Sequence, residues 1–502
     1  MNDMKTRILD IKKKIVQLTC LSTILSPLLW GGVGGGLLLT SCEDWLDVSP
    51  KSQIKEGDQF SREGGYKDQL TGVYTQMTTQ SLYGLNLGIG FAEVLTQNYD
   101  VDPNGEWRYA ANYDYTQSSV EQTLQQTWSA AYNCIANLNI LIRNIDKADS
   151  TMFTNNNYYL YRGEAYGLRA FLHLDLMRLF AAAPAMDRNA KGVPYYTEYS
   201  TEVVPQKSVG ETMQLIINDL LVAHDMLSHD SLKISYSPYY QRNLRIPYFN
   251  YYAATLTLAR AYLWNGDTEN ALRYANEIVD VIESNLYSSP FSWVHYTEMT
   301  SANLHEVNRL FTSEHLFRLP IRKWEDTGNY YFKSQGGSSS LSPSDLKAQD
   351  IYELGLGYGN DYRFLRGFEQ DGEKRYMCKF WHIDGSSVND IYPVLRFTEA
   401  FYIAAEAQKQ SNPARAIELL NTVRANRNLD AFALPETLTA DQIQEEIFKE
   451  YRKEFLGEGG QLFFYYKRLN APEIKGASVR PGKSVYVLPI PSNDLEFGGY
   501  TN

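Results

Sequence analysis

Apolar residues recur every three or four positions along much of the chain, the spacing that gathers them on one side of an α-helix. Residues 128–145 (WSAAYNCIANLNILIRNI) follow this rhythm, with Asn and Arg between the apolar positions, and predict a helix. Residues 155–180 predict another, with Leu160, Ala165, Leu168, Phe171, Leu172 and Leu179 near one stripe. Ser208 and Glu211 have the spacing of a capping box and open a third helix. Its apolar positions run Met213, Ile216, Ile217, Leu220, Leu221 and Leu227.

Two later stretches read as helical hairpins with tetratricopeptide-like spacing. In the first, Ala259, Tyr262, the Gly266-Asp267 turn, Ala271 and Ala275 occupy the places where paired helices touch. In the second, Ala404, Ala407, Asn412-Pro413, Ala416 and Leu420 repeat the arrangement. The hairpins are degenerate and far apart, so the expectation is a mainly α fold: tetratricopeptide-like helix pairs with long irregular loops, not a regular solenoid. The rhythm disappears over residues 98–117 and 284–359, which are rich in Gly, Ser, Asn and aromatics. Gly336-Gly337-Ser338-Ser339-Ser340 reads as a flexible or turn segment. Loops of this length in a compact domain are usually functional or disordered, and the aromatics argue against disorder.

The first 42 residues have a different character. Lys5, Arg7, Lys12, Lys13 and Lys14 precede a mostly apolar run that ends in Leu39-Thr40-Ser41-Cys42. A basic region, an apolar region and a small-residue cleavage site make a secretory signal. Ending it on Cys makes it look like a bacterial lipoprotein signal, with residues 1–41 removed and Cys42 lipidated. Several acyl chains on one residue anchor stably, at roughly 0.8 kcal/mol per buried methylene. A transmembrane helix would also fit the length of the run, but Pro27 and five glycines between Gly31 and Gly36 disfavour it. The acidic run Glu43-Asp44-Trp45-Leu46-Asp47 is consistent with a surface-export signal and with a solvated tether.

Charge excludes some partners. Taking five basic and two acidic side chains in residues 1–41 from totals of 47 and 59 leaves 42 against 57, a balance of −15. A nucleic-acid partner needs a basic footprint, which this chain lacks; attachment to a membrane falls to the lipid anchor alone. Cys134 and Cys378 remain after processing, and the sequence leaves both pairing and separate burial open. The 38 tyrosines outnumber the 21 Phe and 8 Trp together. Tyr suits contact surfaces because an apolar ring carries a polar tip. Most of the tyrosines are expected to line helix packing.

Motifs of catalysis are missing. The seven histidines form no His-Glu-x-x-His pair, and neither a Gly-x-Ser-x-Gly elbow nor a phosphate-cradling glycine loop occurs. Glu450, Glu454 and Glu458 share one helix face beside Arg452, Lys453 and Arg468. They read as a structural ion network, since glycosidase carboxylates must flank a bond from two sides. Asp100 to Gly105 (DVDPNG) matches the front of a calcium loop, but Ala111 stands where the closing Glu belongs, which favours a Pro-Asn-Gly turn. No enzyme activity, cofactor or metal is expected.

Short stretches along the chain form a set when taken in order. They are Cys42 with the Leu46-Asp47 and Pro50 that follow it, the Trp128 helix, Gly163-Glu164-Ala165 through Leu168-Arg169-Ala170, and Arg396-Phe397-Thr398-Glu399 through Ala404-Ala405-Glu406-Ala407. Leu420-Asn421-Thr422-Val423-Arg424 with Arg427 follows. Then come Glu450, Arg452, Glu454-Phe455, Glu458-Gly459, Lys467-Arg468 and the closing Leu488-Pro489-Ile490-Pro491. Together, in this order, they resemble the SusD/RagB family of outer-membrane nutrient-binding lipoproteins from Bacteroidetes. One departure is Ala181-Ala182-Ala183-Pro184-Ala185, where the family has a Gly-Asp-x-Pro-Leu turn.

The resemblance implies a SusD-like domain over residues 42–502, with an N-terminal part at 42–310 and a C-terminal RagB/SusD part at 311–502. It implies a lipid-anchored protein of the outer membrane, exposed at the cell surface. Such a protein captures oligosaccharide or polysaccharide and passes it to a SusC-like TonB-dependent transporter. Sugar rings stack their C–H faces on aromatic rings, so the candidate ligand-binding residues are the aromatics of the two irregular regions. One cluster is Trp107, Tyr109, Asn112, Tyr113 and Tyr115; the other is Trp293, Tyr296, Trp324, Tyr330 and Tyr331. Peptide binding by the same fold, and a transporter lid with no ligand of its own, are the other readings open.

Overall fold

The computed structural model describes residues 56–234, 238–284 and 289–501. The signal sequence expected over residues 1–41, Cys42 and the acidic run after it lie outside the described residues. The longer helices are α1 (Glu63–Met77), α2 (Ser118–Ile145), α3 (Asn157–Phe180), α4 (Val209–Leu227), α5 (Tyr251–Trp264) and α6 (Thr268–Ser284). After a long irregular stretch come α7 (Thr398–Gln408), α8 (Pro413–Ala425), α9 (Ala440–Glu454) and α10 (Gln461–Arg468). The fold is mainly α, as the apolar rhythm implies.

Each helix from α1 to α8 packs on the next in sequence, including α6 on α7 across positions 285–397. The two hairpins that are remote in sequence are therefore adjacent in space, and the row of helices is more continuous than their separation suggests. Small residues at the crossings make this possible. Ala259, Ala271, Ala275, Ala404 and Ala416 have no exposed surface. In α3, a Cβ on Gly163 would stand 2.6 Å from Leu227 and one on Gly167 would stand 2.3 Å from Phe249, so bare backbone is needed at both crossings. Helix α5 is buried on nearly all sides, the condition of a helix with neighbours all round.

The local signals hold in most places. Ser208 Oγ accepts from the Glu211 amide at 3.2 Å and the Glu211 carboxylate accepts from the Ser208 amide at 2.9 Å, completing the capping box. Helix α2 begins ten residues before Trp128. Leu221 faces outward, 37% exposed, and does not belong to the apolar stripe of α4. The Ala181–Pro184 departure still turns: the amides of Met186 and Asp187 both reach the Ala183 carbonyl, and none of these residues needs a positive φ.

The insertion between α6 and α7 contains two small antiparallel pairs. Strand β1 (His315–Pro320) lies beside β4 (Ile391–Arg396), with Leu319 opposite Tyr392. Strands β2 (Phe368–Asp371) and β3 (Lys374–Met377) form a hairpin about Gly372, which takes a φ of +65°.

Glu450 and Glu454 share a face of α9, but Glu458 lies in the turn past the helix end and not on that face. The three still form one structural ion network, and its partners come mainly from elsewhere. Glu454 takes Arg427 at 2.6 Å, Arg396 at 2.5 Å and Arg363 at 2.9 Å; Glu450 takes Arg424 and Arg363, each at 2.8 Å. Glu458 takes Arg396 at 2.9 Å and Lys379 at 2.5 Å. Of the neighbours expected from sequence, only Lys453 joins, at 3.2 Å from Glu450; Arg452 pairs with Asp350 and Arg468 with Glu406. Burial alone would raise the pKa of Glu454, but Arg427, Arg396 and Arg363 outweigh it and hold the carboxyl well below the usual range. Such a group is costly to bury and costlier to break, because each lost partner leaves a bare charge.

Candidate functional site

The two irregular regions meet at one face. Gly105 sits so close to the neighbouring loop that a Cβ there would stand 2.1 Å from the Ser338 carbonyl oxygen. Trp107 Nε1 donates to the Ser339 carbonyl at 3.2 Å. Asp100 accepts from the Ser344 amide at 2.7 Å and pairs with Lys347 at 2.9 Å. The DVDPNG stretch is the turn its composition suggests, with the Asp102 carboxylate accepting from the Asn104 amide at 2.8 Å.

Across this seam the rings of Trp107 and Tyr331 meet edge to face at 5.5 Å, and Tyr331 meets Tyr330 at 5.0 Å. Tyr330 is 40% exposed, whereas Trp107 is buried and Tyr331 half-buried. Burial, with the nearby Glu106 carboxylate adding to it, pushes the Tyr331 hydroxyl pKa above its ordinary range, so it stays a neutral donor. Tyr109 is half-buried under the Arg108 guanidinium, 4.1 Å from the ring centre, and Asn112 is exposed.

Beside this patch lies a cavity of about 420 Å³, within the size range of small-molecule sites. Asp100, Asp102 and Gly337 line it from the joined loops, and Lys374, Arg375 and Tyr376 line it from β3. Both charge signs and an aromatic ring thus converge on one opening. The β3 contribution is absent from the candidates read from sequence. The Asp371-Gly372 pair, a strong hairpin signal, marks the place where it could have been found.

Other candidates are placed elsewhere. Tyr113 and Tyr115 face inward and pin their loop: the Tyr113 hydroxyl donates to the Leu95 carbonyl at 2.9 Å and that of Tyr115 to the Val485 carbonyl at 2.8 Å. Tyr113 holds a left-handed φ of +56°, strained for an aromatic residue. Trp324 is 1% exposed, packed against Phe380 and Tyr392, and offers no face to a ligand. Trp293 is half-buried against Phe397 and Phe401 with Arg427 over its ring, while Tyr296 is 60% exposed. No ring contact among the described residues links Trp293 or Tyr296 to the Trp107–Tyr331 patch. Among the described residues no set of His, Cys, Asp and Glu is grouped to hold a metal ion, and no helix is long and apolar enough to cross a membrane.

Comparison with known proteins agrees with this architecture. Residues 44–263 match a SusD-like family described as starch-binding and associating with the outer membrane, and residues 366–495 match the SusD family. The chain belongs to the SusD/RagB family. It is 24% identical to SusD-like protein P38 of Formosa agariphila over 88% of this chain and 90% of that one. Its fold is similar to that of a SusD superfamily protein from Bacteroides thetaiotaomicron, with a TM-score of 0.68 at 20% identity, covering 87% of this chain and 98% of the other. A laminarin-binding SusD-like protein is also similar, with a TM-score of 0.63 at 20% identity over 87% and 97% of the two chains.

Proposed function

We propose that this protein is a lipid-anchored outer-membrane binder, exposed at the cell surface, that captures oligosaccharide and delivers it to a SusC-type TonB-dependent transporter. In this reading residues 1–41 are the signal peptide and Cys42 carries the lipid. Positions 42–310 and 311–502 are the two parts of one SusD-like domain. The protein binds its ligand and does not transform it.

The observation that carries the reading is the seam between residues 98–117 and 330–344. Two loops remote in sequence converge on an aromatic patch beside a polar cavity. Tyr330 supplies an open ring for the C–H face of a sugar, and the cavity supplies carboxylate, hydroxyl and cationic partners for its hydroxyls. The laminarin-binding relative lends weight to a glucan as ligand.

The test is affinity electrophoresis of the protein in gels containing laminarin, starch or xylan, with Tyr330→Ala alongside. Retardation by one glucan, lost in the variant, is the expected result. Heat released on adding peptide mixtures, with no retardation by any glycan, would move the ligand to peptide. Silence in both would leave a transporter lid. Radiolabelled palmitate incorporated by the wild type and not by Cys42→Ala tests the anchor.

A further inference from the structure

A second groove, of about 370 Å³, shares no lining residue with the loop-face cavity. It lies between α2, residues 194–200 and the C-terminal residues 494–500. Trp128 forms its buried floor. Tyr132 packs on Trp128 at 4.8 Å between ring centres and meets Tyr196 edge to face at 5.6 Å. Tyr199, 57% exposed, stands among the lining residues as a nearly free ring.

The walls are fixed before any ligand arrives. The Tyr132 hydroxyl donates to the Pro194 carbonyl at 2.8 Å, and the Tyr196 and Tyr500 hydroxyls share a hydrogen bond of 2.7 Å. Asn139 Nδ2 donates to the Tyr196 and Glu198 carbonyls at 3.0 and 3.3 Å. Gln206 and Thr501 exchange hydrogen bonds of 3.1 and 2.9 Å, tying the C-terminal segment to the same wall.

What remains unused faces the opening. Asn133 accepts from Asn137 at 3.2 Å, and its own amide N–H groups have no protein partner among the described residues. Glu198 and Asp494 line the groove without a cationic partner among the described residues; Asp494 has only a long contact, 3.4 Å, from Gln125. The open Tyr199 ring, the rings of Tyr132, Tyr196 and Tyr500 with their hydroxyls already committed, one amide donor and two unpaired carboxylates suit a ring with C–H faces and outward hydroxyls. Two carboxylates without a cation repel an anionic sugar. We propose that this groove is a second saccharide site, taking a neutral sugar unit independently of the loop face. It goes beyond the loop-face reading but rests on the same class of ligand.

The test is fluorine NMR of the full chain in detergent, labelled with 5-fluorotryptophan, with the Trp128 and Trp107 signals assigned by W128F and W107F. Laminarihexaose and maltohexaose are the probes, each added to millimolar concentration. The proposal expects a saturable shift of the Trp128 signal that persists in Tyr330→Ala. That shift is expected to be lost in Tyr199→Ala and in Asp494→Asn while the other signals stay in place. A Trp128 signal that stays still while Trp107 responds overturns the groove and leaves the loop face standing. A Trp128 shift abolished by Tyr330→Ala also overturns it, since the signal would then report the loop face. If neither signal moves with any glucan, both readings fail together.

Discussion

The helical scaffold and the loop face handle polar groups in opposite ways. In the scaffold, charges lie inside and are saturated by one another: Glu454 has three guanidinium partners and no exposure to speak of. At the loop face, Asp102, Glu373, Lys374 and Arg375 line an opening and form no ion pair among the described residues. The charged residues that carry the family resemblance, among them Glu164, Arg169, Glu399, Arg424 and Arg427, fall in the first group. Glu164 pairs with Arg245 at 2.9 Å, Arg169 with Asp219 at 2.7 Å, and Glu399 with Arg260 at 2.5 Å. The charged motif residues therefore specify how the chain holds together, and at the loop face the choice of ligand is left to a surface on which the motifs are silent.

Breaking the scaffold should have the largest effect. Glu454→Gln leaves Arg396, Arg427 and Arg363 short of a buried counter-charge, and a loss of about 3–5 kcal/mol in urea unfolding is expected. The same carboxylate gives the fold an acid limit. Its unfolded pKa is the ordinary 4.5 and its folded value lies well below that. The stabilisation is therefore complete above about pH 4.5 and drains away as the pH falls toward the folded value. A stability profile from pH 7 to pH 3 should fall in the wild type and fall less steeply in Glu454→Gln.

Prying the loops apart comes next. In Gly105→Ala the new methyl group meets the Ser338 carbonyl, so the seam must open. A loss of about 1–3 kcal/mol is expected, the usual range for overpacking, together with weaker glycan retention. Tyr330→Ala separates the two regions most cleanly. A ring 40% exposed contributes little to folding, so the melting temperature should stay within about a degree of the wild type. Glycan affinity should fall roughly tenfold, near 1.4 kcal/mol. An equal loss of stability would assign Tyr330 to the scaffold after all.

How much of this was legible depended on whether a residue lay in periodic backbone. The helices and the Ser208 cap announce themselves because their spacing is set by the 3.6-residue turn. The α6–α7 contact does not, because it joins segments separated by a long insertion. Arg363, Arg396 and Arg427 likewise reach Glu454 from three separate places, while Arg452, two residues from it, points elsewhere. In the irregular loops there is no period to say which ring turns inward. Trp324 and Tyr330 stand six positions apart in one aromatic-rich stretch, yet one is core and the other surface. Composition marks both as candidates; only the tertiary contacts tell them apart.

The smallest effect is expected at the two thiols among the described residues. Cys134 and Cys378 are free and buried, Cys134 on α2 and Cys378 just after β3, so neither ties the scaffold to the loop face through a disulfide. Burial pushes each thiol pKa up to about 12, which removes the thiolate that reagents and disulfides attack. Adding dithiothreitol should leave the melting temperature unchanged. Ellman's reagent should react with neither thiol at pH 8 until denaturant is added, and then with both. A melting temperature lowered by the reductant would mean a covalent link between the two regions, and their independence would have to be given up.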